Sequence, residues 1–145
     1  MREHALQSPT NETQWRAYHS IRRKVLFENR GHFDVYDEHH PDEVAPGNHP
    51  MILLHRGEPI GTIRIDIGSK EAIFRRVAIR EDCQRSGHGR ALLSLAEEFA
   101  REKGCETVRS FVNPEAVGFY EQCGFRVDRS APSDPQHFRM AKKLG

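Results

Sequence analysis

Hydrophobic positions recur along this chain in two different rhythms. Trp15, Tyr18, Ile21 and Val25 are three or four residues apart, which is helical spacing. The segment Ser8-Pro9-Thr10-Asn11-Glu12 ahead of them punctuates the chain and offers an N-cap, so a first helix is predicted over 12–29. Residues 30–50 are polar and rich in His, Asp, Glu and Pro, which predicts a loop with room for one short helix. The rhythm then changes. Residues 51–55 form a short apolar strand, and Arg56-Gly57-Glu58-Pro59 is turn chemistry. Across 60–67, Ile63, Ile65 and Ile67 alternate with Arg64 and Asp66, the strand period with one buried face. Gly68-Ser69-Lys70-Glu71 makes a turn into a third such run, 72–79, so 51–79 reads as an antiparallel meander.

Helical spacing returns from His88 to Lys103, where Leu92, Leu95, Ala96 and Phe99 share a face and Gly104 serves as C-cap. Residues 107–112 are strand again. Pro114 suits the first turn of a short helix that runs to about Gln122 and stops at Gly124. Residues 125–128 and 137–142 are closing strands joined by the Pro-rich segment 130–136. The class is mixed α and β in a single domain over 1–145.

Composition narrows what such a domain does. At 145 residues it can bury a core without disulfides or a structural metal. Charged residues make up 30% of it, but the formal net charge is only +1, which argues against a nucleic-acid binder working through excess basic charge. The three cysteines, Cys83, Cys105 and Cys123, are odd in number and widely spaced, the pattern of a reducing compartment. The N-terminus shows no apolar signal region and no apolar run is long enough to span a bilayer, so a cytoplasmic location with no membrane partner is expected.

The chemistry lies between Val77 and Leu93. A strand ending Val77-Ala78-Ile79 runs into a basic loop, Gln84-Arg85-Ser86-Gly87-His88-Gly89-Arg90, and that loop opens a helix. A helix N-terminus carries unpaired N–H groups and roughly half a positive charge, so it attracts anions. Gly87 and Gly89 lack a Cβ and let backbone approach a phosphate, while Arg85 and Arg90 add charge. These features predict a phosphate or pyrophosphate ligand. A P-loop needs Lys-Ser or Lys-Thr after its glycines, and a dinucleotide fingerprint needs a small residue where Leu92 stands; both patterns fail.

The loop does match [QR]-x-x-G-x-[GA], and in that respect it resembles the coenzyme A pyrophosphate loop of the GNAT superfamily of N-acetyltransferases. A second stretch strengthens the resemblance. Asn113-Pro114-Glu115-Ala116-Val117-Gly118-Phe119-Tyr120-Glu121-Gln122-Cys123-Gly124-Phe125 is similar to the family's N-x-x-A-x-x-F-Y-x-x-x-G-F segment. The likeness covers 51–143 well and is weaker over 1–50. It implies a central mixed, mostly antiparallel sheet, splayed where acetyl-CoA enters and flanked by helices. It further implies that acetyl-CoA is the cosubstrate, an amine the acceptor, no metal the cofactor, and that a homodimer is a common assembly.

By the same resemblance, the backbone of Val77, Ala78 and Ile79 would pair with the pantetheine arm. The amides of Gln84, Arg85, Ser86, Gly87, His88, Gly89 and Arg90 would hold the pyrophosphate, and Asn113, Phe119 and Tyr120 would line the cofactor. Asn113 and Tyr120 are the catalytic candidates. A free thiol has a pKa of about 8.5 and a phenol about 10, so Tyr120 stays protonated at neutral pH and can donate to the departing thiolate. Many relatives use a Glu as general base on the strand ahead of the loop; here that strand reads Phe74-Arg75-Arg76-Val77, without a carboxylate. The substitutes are a water relay or a group from elsewhere, with Asp66, His137 and the loop 37–43 as candidates. Arg75 and Arg76 are either solvated charges or partners for an acidic group on the acceptor. His39-His40, amid acidic residues, lacks the spacing of a zinc protease motif and reads as a solvated loop. The rival reading is a noncatalytic acyl-CoA-binding module on the same fold.

Overall fold

The computed structural model describes residues 3–130 and 137–145; residues 131–136 of the Pro-rich linker lie outside them. The chain runs β1 (His4–Gln7), α1 (Glu12–Arg22), β2 (Asn48–His55), β3 (Glu58–Ile67), β4 (Glu71–Ile79), α2 (His88–Glu102), β5 (Thr107–Val112), α3 (Val117–Gln122), β6 (Arg126–Val127) and β7 (Phe138–Lys143). The strands form one sheet in the order β1-β2-β3-β4-β5-β7-β6. Every neighbouring pair is antiparallel except β4 and β5, which are parallel and joined through α2. This is the mixed, mostly antiparallel sheet flanked by helices that the sequence predicts. Only β1 escapes the apolar pattern: it is four residues long and sits at the sheet edge, paired to β2.

Strand alternation divides the sheet into two faces. Leu53, Ile63, Ile65, Phe74 and Val108 point to one side and bury themselves against Leu92, Leu93, Ala96 and Ala100 of α2. The most buried stripe of α2 is therefore rotated slightly from the predicted one, with Leu95 and Phe99 at its flank. Glu97 belongs to this buried stripe. It is 5% exposed and lies 2.8 Å from the Lys142 ammonium of β7. On the opposite face, Ile52 is covered by Tyr18 and Ile21 of α1.

Asn11 caps α1, its side chain accepting the Gln14 N–H at 2.9 Å, as its place in the sequence suggests. The predicted helix 12–29 does not continue in one winding. Residues Arg23–Phe27 form a π turn and Glu28–Arg30 a 3-10 turn. The wider turn shifts the phase of the residues after it, and Phe27 comes to lie under the Arg76 guanidinium at 5.2 Å and edge-on to Tyr36.

The segment 30–50 holds one short helix, the 3-10 turn Pro41–Val44, and it is anchored by a buried charge. Glu43 is 6% exposed, with carboxylate oxygens 2.7 Å from Arg22 and 3.6 Å from Arg64, both also buried. Burial pushes the Glu43 carboxyl up, but the Arg22 guanidinium and the Tyr18 hydroxyl outweigh it and hold it below the usual range. Asp66 continues the cluster, accepting hydrogen bonds from Arg64 at 2.7 and 2.9 Å and from Arg75 at 2.9 Å.

The parallel pair β4–β5 is short. Register runs from Glu71↔Thr107 to Phe74↔Ser110 and ends there. Beyond it, β4 continues to Ile79 paired only to β3, and β5 continues to Val112 paired only to β7. A bulge bends β4 at this point. Thr62 opposes Ala78 and Arg64 opposes Arg75, so Arg76 and Val77 face the single residue Ile63. Arg76 takes the left-handed conformation, φ 55°, and its carbonyl accepts the Thr62 hydroxyl at 3.1 Å.

Replacing Glu43 with Ala leaves Arg22 and Arg64 buried without their shared anion. The expected loss is about 3–5 kcal/mol of unfolding free energy by urea titration; a loss under ~1 kcal/mol would mean the pair is effectively solvated.

Candidate functional site

The loop after β4 is built to leave its amides open. The Gln84 side-chain amide donates to the Ile79 carbonyl at 3.0 Å and ties the loop back to the strand end. Arg85 (φ 64°) and Gly87 (φ 85°) both adopt left-handed backbone, a winding that gathers N–H groups into an anion-binding concavity. Gly87 is the N-cap of α2 and no side chain caps that end; the first helical bond is Ala91 N–H to the Gly87 carbonyl. The rim of Arg85, Ser86 and Arg90 is exposed, with His88 and Gly89 half-buried behind it.

The two glycines serve different ends. Gly87 is required by its positive φ. Gly89, read from sequence as clearance for a phosphate, also gives clearance to a ring: a Cβ there would stand 3.1 Å from Cζ of Phe119. Phe119 thus braces α3 against the start of α2 while remaining 37% exposed beside the loop. Contact between these two motifs was not legible from their spacing.

The splay lies next to this loop. Val77 and Ile79 are half-buried and Ala78 is buried, so these side chains pack into the protein while the β4 backbone edge that β5 has left is open to a ligand. At the fork, Ser110 donates its hydroxyl to the Phe74 carbonyl at 3.3 Å. Tyr120 comes to the same point from α3, packed edge-on against Phe119 and Phe125, with its phenol beside the Ser110 hydroxyl. Burial pushes that phenol up to about 12, and the Ser110 hydroxyl offsets it only in part. Ser110 is a site residue that the motifs miss, although a serine between Val108 and Val112 in the buried phase of β5 was its signal. Asn113 follows β5 directly and is half-buried; its side chain does not cap the 3-10 turn Pro114–Ala116.

The general-base candidates fare unequally. Asp66 is gripped by Arg64 and Arg75, and Glu43 lies between Arg22 and Arg64. In the same loop Glu38 pairs with Arg23 at 2.9 Å, and Asp37 accepts the His39 N–H at 2.8 Å. These carboxylates are occupied by the fold. His137 immediately precedes β7, and the register Val112↔Phe138 carries it to the level of Asn113, at the end of the splay.

His39 and His40 are exposed, and among the described residues the imidazoles that converge are others. His4, His55 and His88 bring ring nitrogens within 4.8 Å of one another, with His4 and His88 hydrogen-bonded at 2.8 Å and His4 stacked on His55. This trio ties β1 and β2 to the first residue of α2. All three thiols are free, and burial pushes each up, which suits packing and not nucleophilic attack.

The model of the acetyltransferase (GNAT) family matches residues 12–125. The chain is 26% identical over 123 residues to a provisionally named acetyltransferase of Bacillus subtilis, covering 81% of this chain and 80% of that one. Its structure is similar to that of a provisionally named N-acetyltransferase from Lactobacillus plantarum, at 28% identity and TM-score 0.79 over 99% of both chains. The PaiA N-acetyltransferase of Thermoplasma acidophilum, solved in complex with coenzyme A, shares the fold at 17% identity and TM-score 0.74, over 99% of this chain and 100% of that one. The chain belongs to the acetyltransferase (GNAT) family and is an acetyl-CoA-dependent N-acetyltransferase. No helix among the described residues is long and apolar enough to cross a membrane.

Two measurements probe this geometry. Gly89→Ala pushes Phe119 by a few tenths of an ångström and should weaken coenzyme A binding only modestly. Gly89→Asp adds the same Cβ with a carboxylate and should bind at least about tenfold more weakly than the Ala variant at low salt, with the gap narrowing as salt rises. Equal affinities in calorimetry would put the phosphates elsewhere. The second concerns acid. Burial above all holds His4, His19 and His49 below their ordinary value, and neighbouring cationic groups add to it. The native state therefore binds fewer of these protons than the unfolded chain, and stability that is intact above about pH 6.5 is lost as pH falls from there. The melting temperature should drop between about pH 7 and 5, before the carboxylates titrate; a flat profile would contradict these shifts.

Proposed function

We propose that this member of the acetyltransferase (GNAT) family transfers the acetyl group of acetyl-CoA directly to an amine that arrives from the α1 face of the sheet. The observation that carries the reading is the position of Tyr120: a buried, protonated phenol at the fork of β4 and β5, beside an uncapped helix N-terminus. Acetyl-CoA supplies a thioester carbonyl as electrophile and a thiol as leaving group. The α2 N-terminus and the amides of 85–90 would hold its pyrophosphate, and the free edge of β4 at Val77, Ala78 and Ile79 would take the pantetheine amides as a further strand takes its neighbour. An amine nitrogen forms the new C–N bond as the C–S bond breaks, so negative charge passes to sulfur and a proton leaves nitrogen.

Tyr120 meets the charge on sulfur. A phenol near 12 cannot give its proton fully to a free thiolate, whose conjugate acid lies at about 8.5. What it offers is a hydrogen bond that strengthens as charge grows, with transfer advancing as the same buried setting raises the thiol. That interaction is specific to the transition state, and therefore acts on turnover. Asn113, at the end of β5 with a half-buried amide, would orient the cofactor or the incoming amine. His137, at the same level of the sheet, is a base candidate by its position.

Tyr120→Phe keeps the ring and deletes the donor. It should fold, bind coenzyme A nearly as well, and lose about 10²–10⁴-fold in kcat with little change in KM for acetyl-CoA. Since the acid must be protonated and titrates near 12, wild-type kcat should show no basic fall-off below about pH 11 from this group. Full activity in a folded Phe variant would remove Tyr120 from the reaction and leave cofactor binding untouched.

A further inference from the structure

The fork opens onto the α1 face through an unusual concentration of arginine. In a regular strand, Arg75 and Arg76 would point to opposite faces. The bulge cancels that alternation. Arg75 lies against Asp66, inside the cluster beneath α1, and Arg76 lies over Phe27, which follows α1. Both are the first β4 residues past the last β4–β5 pair, so both stand at the mouth of the splay. Across the opening, Phe111 of β5 lies between Arg75 and Arg139 of β7, whose guanidinium carbons are 5.0 and 5.3 Å from its ring centre. Arg139 and Phe111 are in the phase opposite to buried Met140 and Val112, which puts them on this same face.

The charges on this face do not balance. Four guanidiniums, Arg22, Arg64, Arg75 and Arg76, gather around two carboxylates, Glu43 and Asp66. Arg22 and Arg64 are buried beside Glu43, where the Arg22 Nε and both Glu43 carboxylate oxygens lack a hydrogen-bond partner and are held by charge alone. Asp66 is divided between Arg64 and Arg75. Neither Arg76 nor Arg139 has a carboxylate partner among the described residues; each is held over an aromatic ring. Arg76 and Arg139 are both exposed, so each guanidinium is open to a ligand, and an anion bound there would relieve the crowding of like charge. Arg76 takes its left-handed backbone as part of the bulge.

Resting on the reading of the fork as the transfer site, we propose that the acceptor is an amine that also carries a carboxylate, and that Arg76 and Arg139, flanking the mouth of the splay, bind that carboxylate. Guanidiniums suit it, since their paired N–H groups match the two oxygens in plane. The amine end then points down the fork toward Tyr120. A polyamine would meet the same cations with like charge, so the surface selects against it as well as for an anion.

The test uses the whole chain with three amines of matched length: ω-amino carboxylates of about two to six carbons, their carboxamides, and the corresponding diamines. Free coenzyme A release is followed. The carboxylates should exceed both other series in kcat/KM by about tenfold or more. Arg76→Gln should erase that preference while coenzyme A affinity stays as in the wild type. Carboxamides or diamines used as well as carboxylates, or a preference that survives both Arg76→Gln and Arg139→Gln, overturns the proposal. A second readout needs no turnover: the arginine Nε–Hε NMR signals of the coenzyme A-bound protein during a succinate titration. Saturable shifts at Arg76 and Arg139, absent with succinamide, support the site even if none of these amines is acetylated. No saturable shift, or the same shift with succinamide, refutes it. Failure of coenzyme A to bind would instead strike the transfer reading, and the titration of the free protein would still decide the anion site.

Discussion

Two parallel strands that separate in the middle of a sheet leave backbone N–H and C=O groups without partners, and buried groups of this kind are rarely left so. β4 and β5 part after Phe74 and Ser110, well before either strand ends. Everything of functional interest in the molecule is arranged around that gap. On the α2 side, the strand that has lost its neighbour runs straight into a loop whose amides and helix terminus are themselves uncapped. An extended chain ending in phosphates would satisfy both at once, its amides completing the sheet and its phosphates the helix, and on the proposed reading unmet hydrogen bonds select the ligand more than side-chain recognition does.

The gap needs a wedge to persist, because two parallel strands in register would otherwise go on pairing. Three features hold it. The bulge at Arg76–Val77 turns β4 away and is pinned by the Thr62 hydroxyl. The side chain of Ser110 takes the Phe74 carbonyl at the fork, so the last paired level is closed by a side chain. Behind it, Tyr120, Phe125 and Phe74 fill the core beneath the opening, with the Tyr120 and Phe125 rings 5.3 Å apart. Tyr120, the proposed acid, is thus also part of the wedge. On the far side, the surplus of arginine keeps the α1 face polar and open where apolar packing would have closed it.

Much of this was legible in the sequence for a physical reason. Period-2 alternation across Ile63, Ile65 and Ile67, and helical spacing across Leu92, Ala96 and Phe99, report burial, and burial fixes the sheet and α2. The expectation of an anion site rests on backbone, and Gly87 in its strand–loop–helix context does take the left-handed conformation expected of such a loop. What escaped depends on side chains meeting across long sequence separations. The contact of Gly89 with Phe119, the Ser110 hydroxyl at the fork, and the engagement of Glu43 by Arg22 and Arg64 leave no local pattern. The bulge is the sharpest case. Arg75-Arg76 reads as two residues on opposite faces, and only the left-handed turn at Arg76 puts both on one. β1 was missed because four residues at an edge carry too few apolar positions to show a period.

The central claim is that the parted edge of β4 and the start of α2 are completed by one ligand. Amide hydrogen exchange with and without coenzyme A tests it most directly, since it reads the backbone groups themselves. Coenzyme A should slow exchange in two segments together, 77–79 and 85–90, while β2 and β6 are unaffected and NADH has no effect on either segment. Protection of the loop without the strand, protection elsewhere only, or equal protection by NADH would contradict the account.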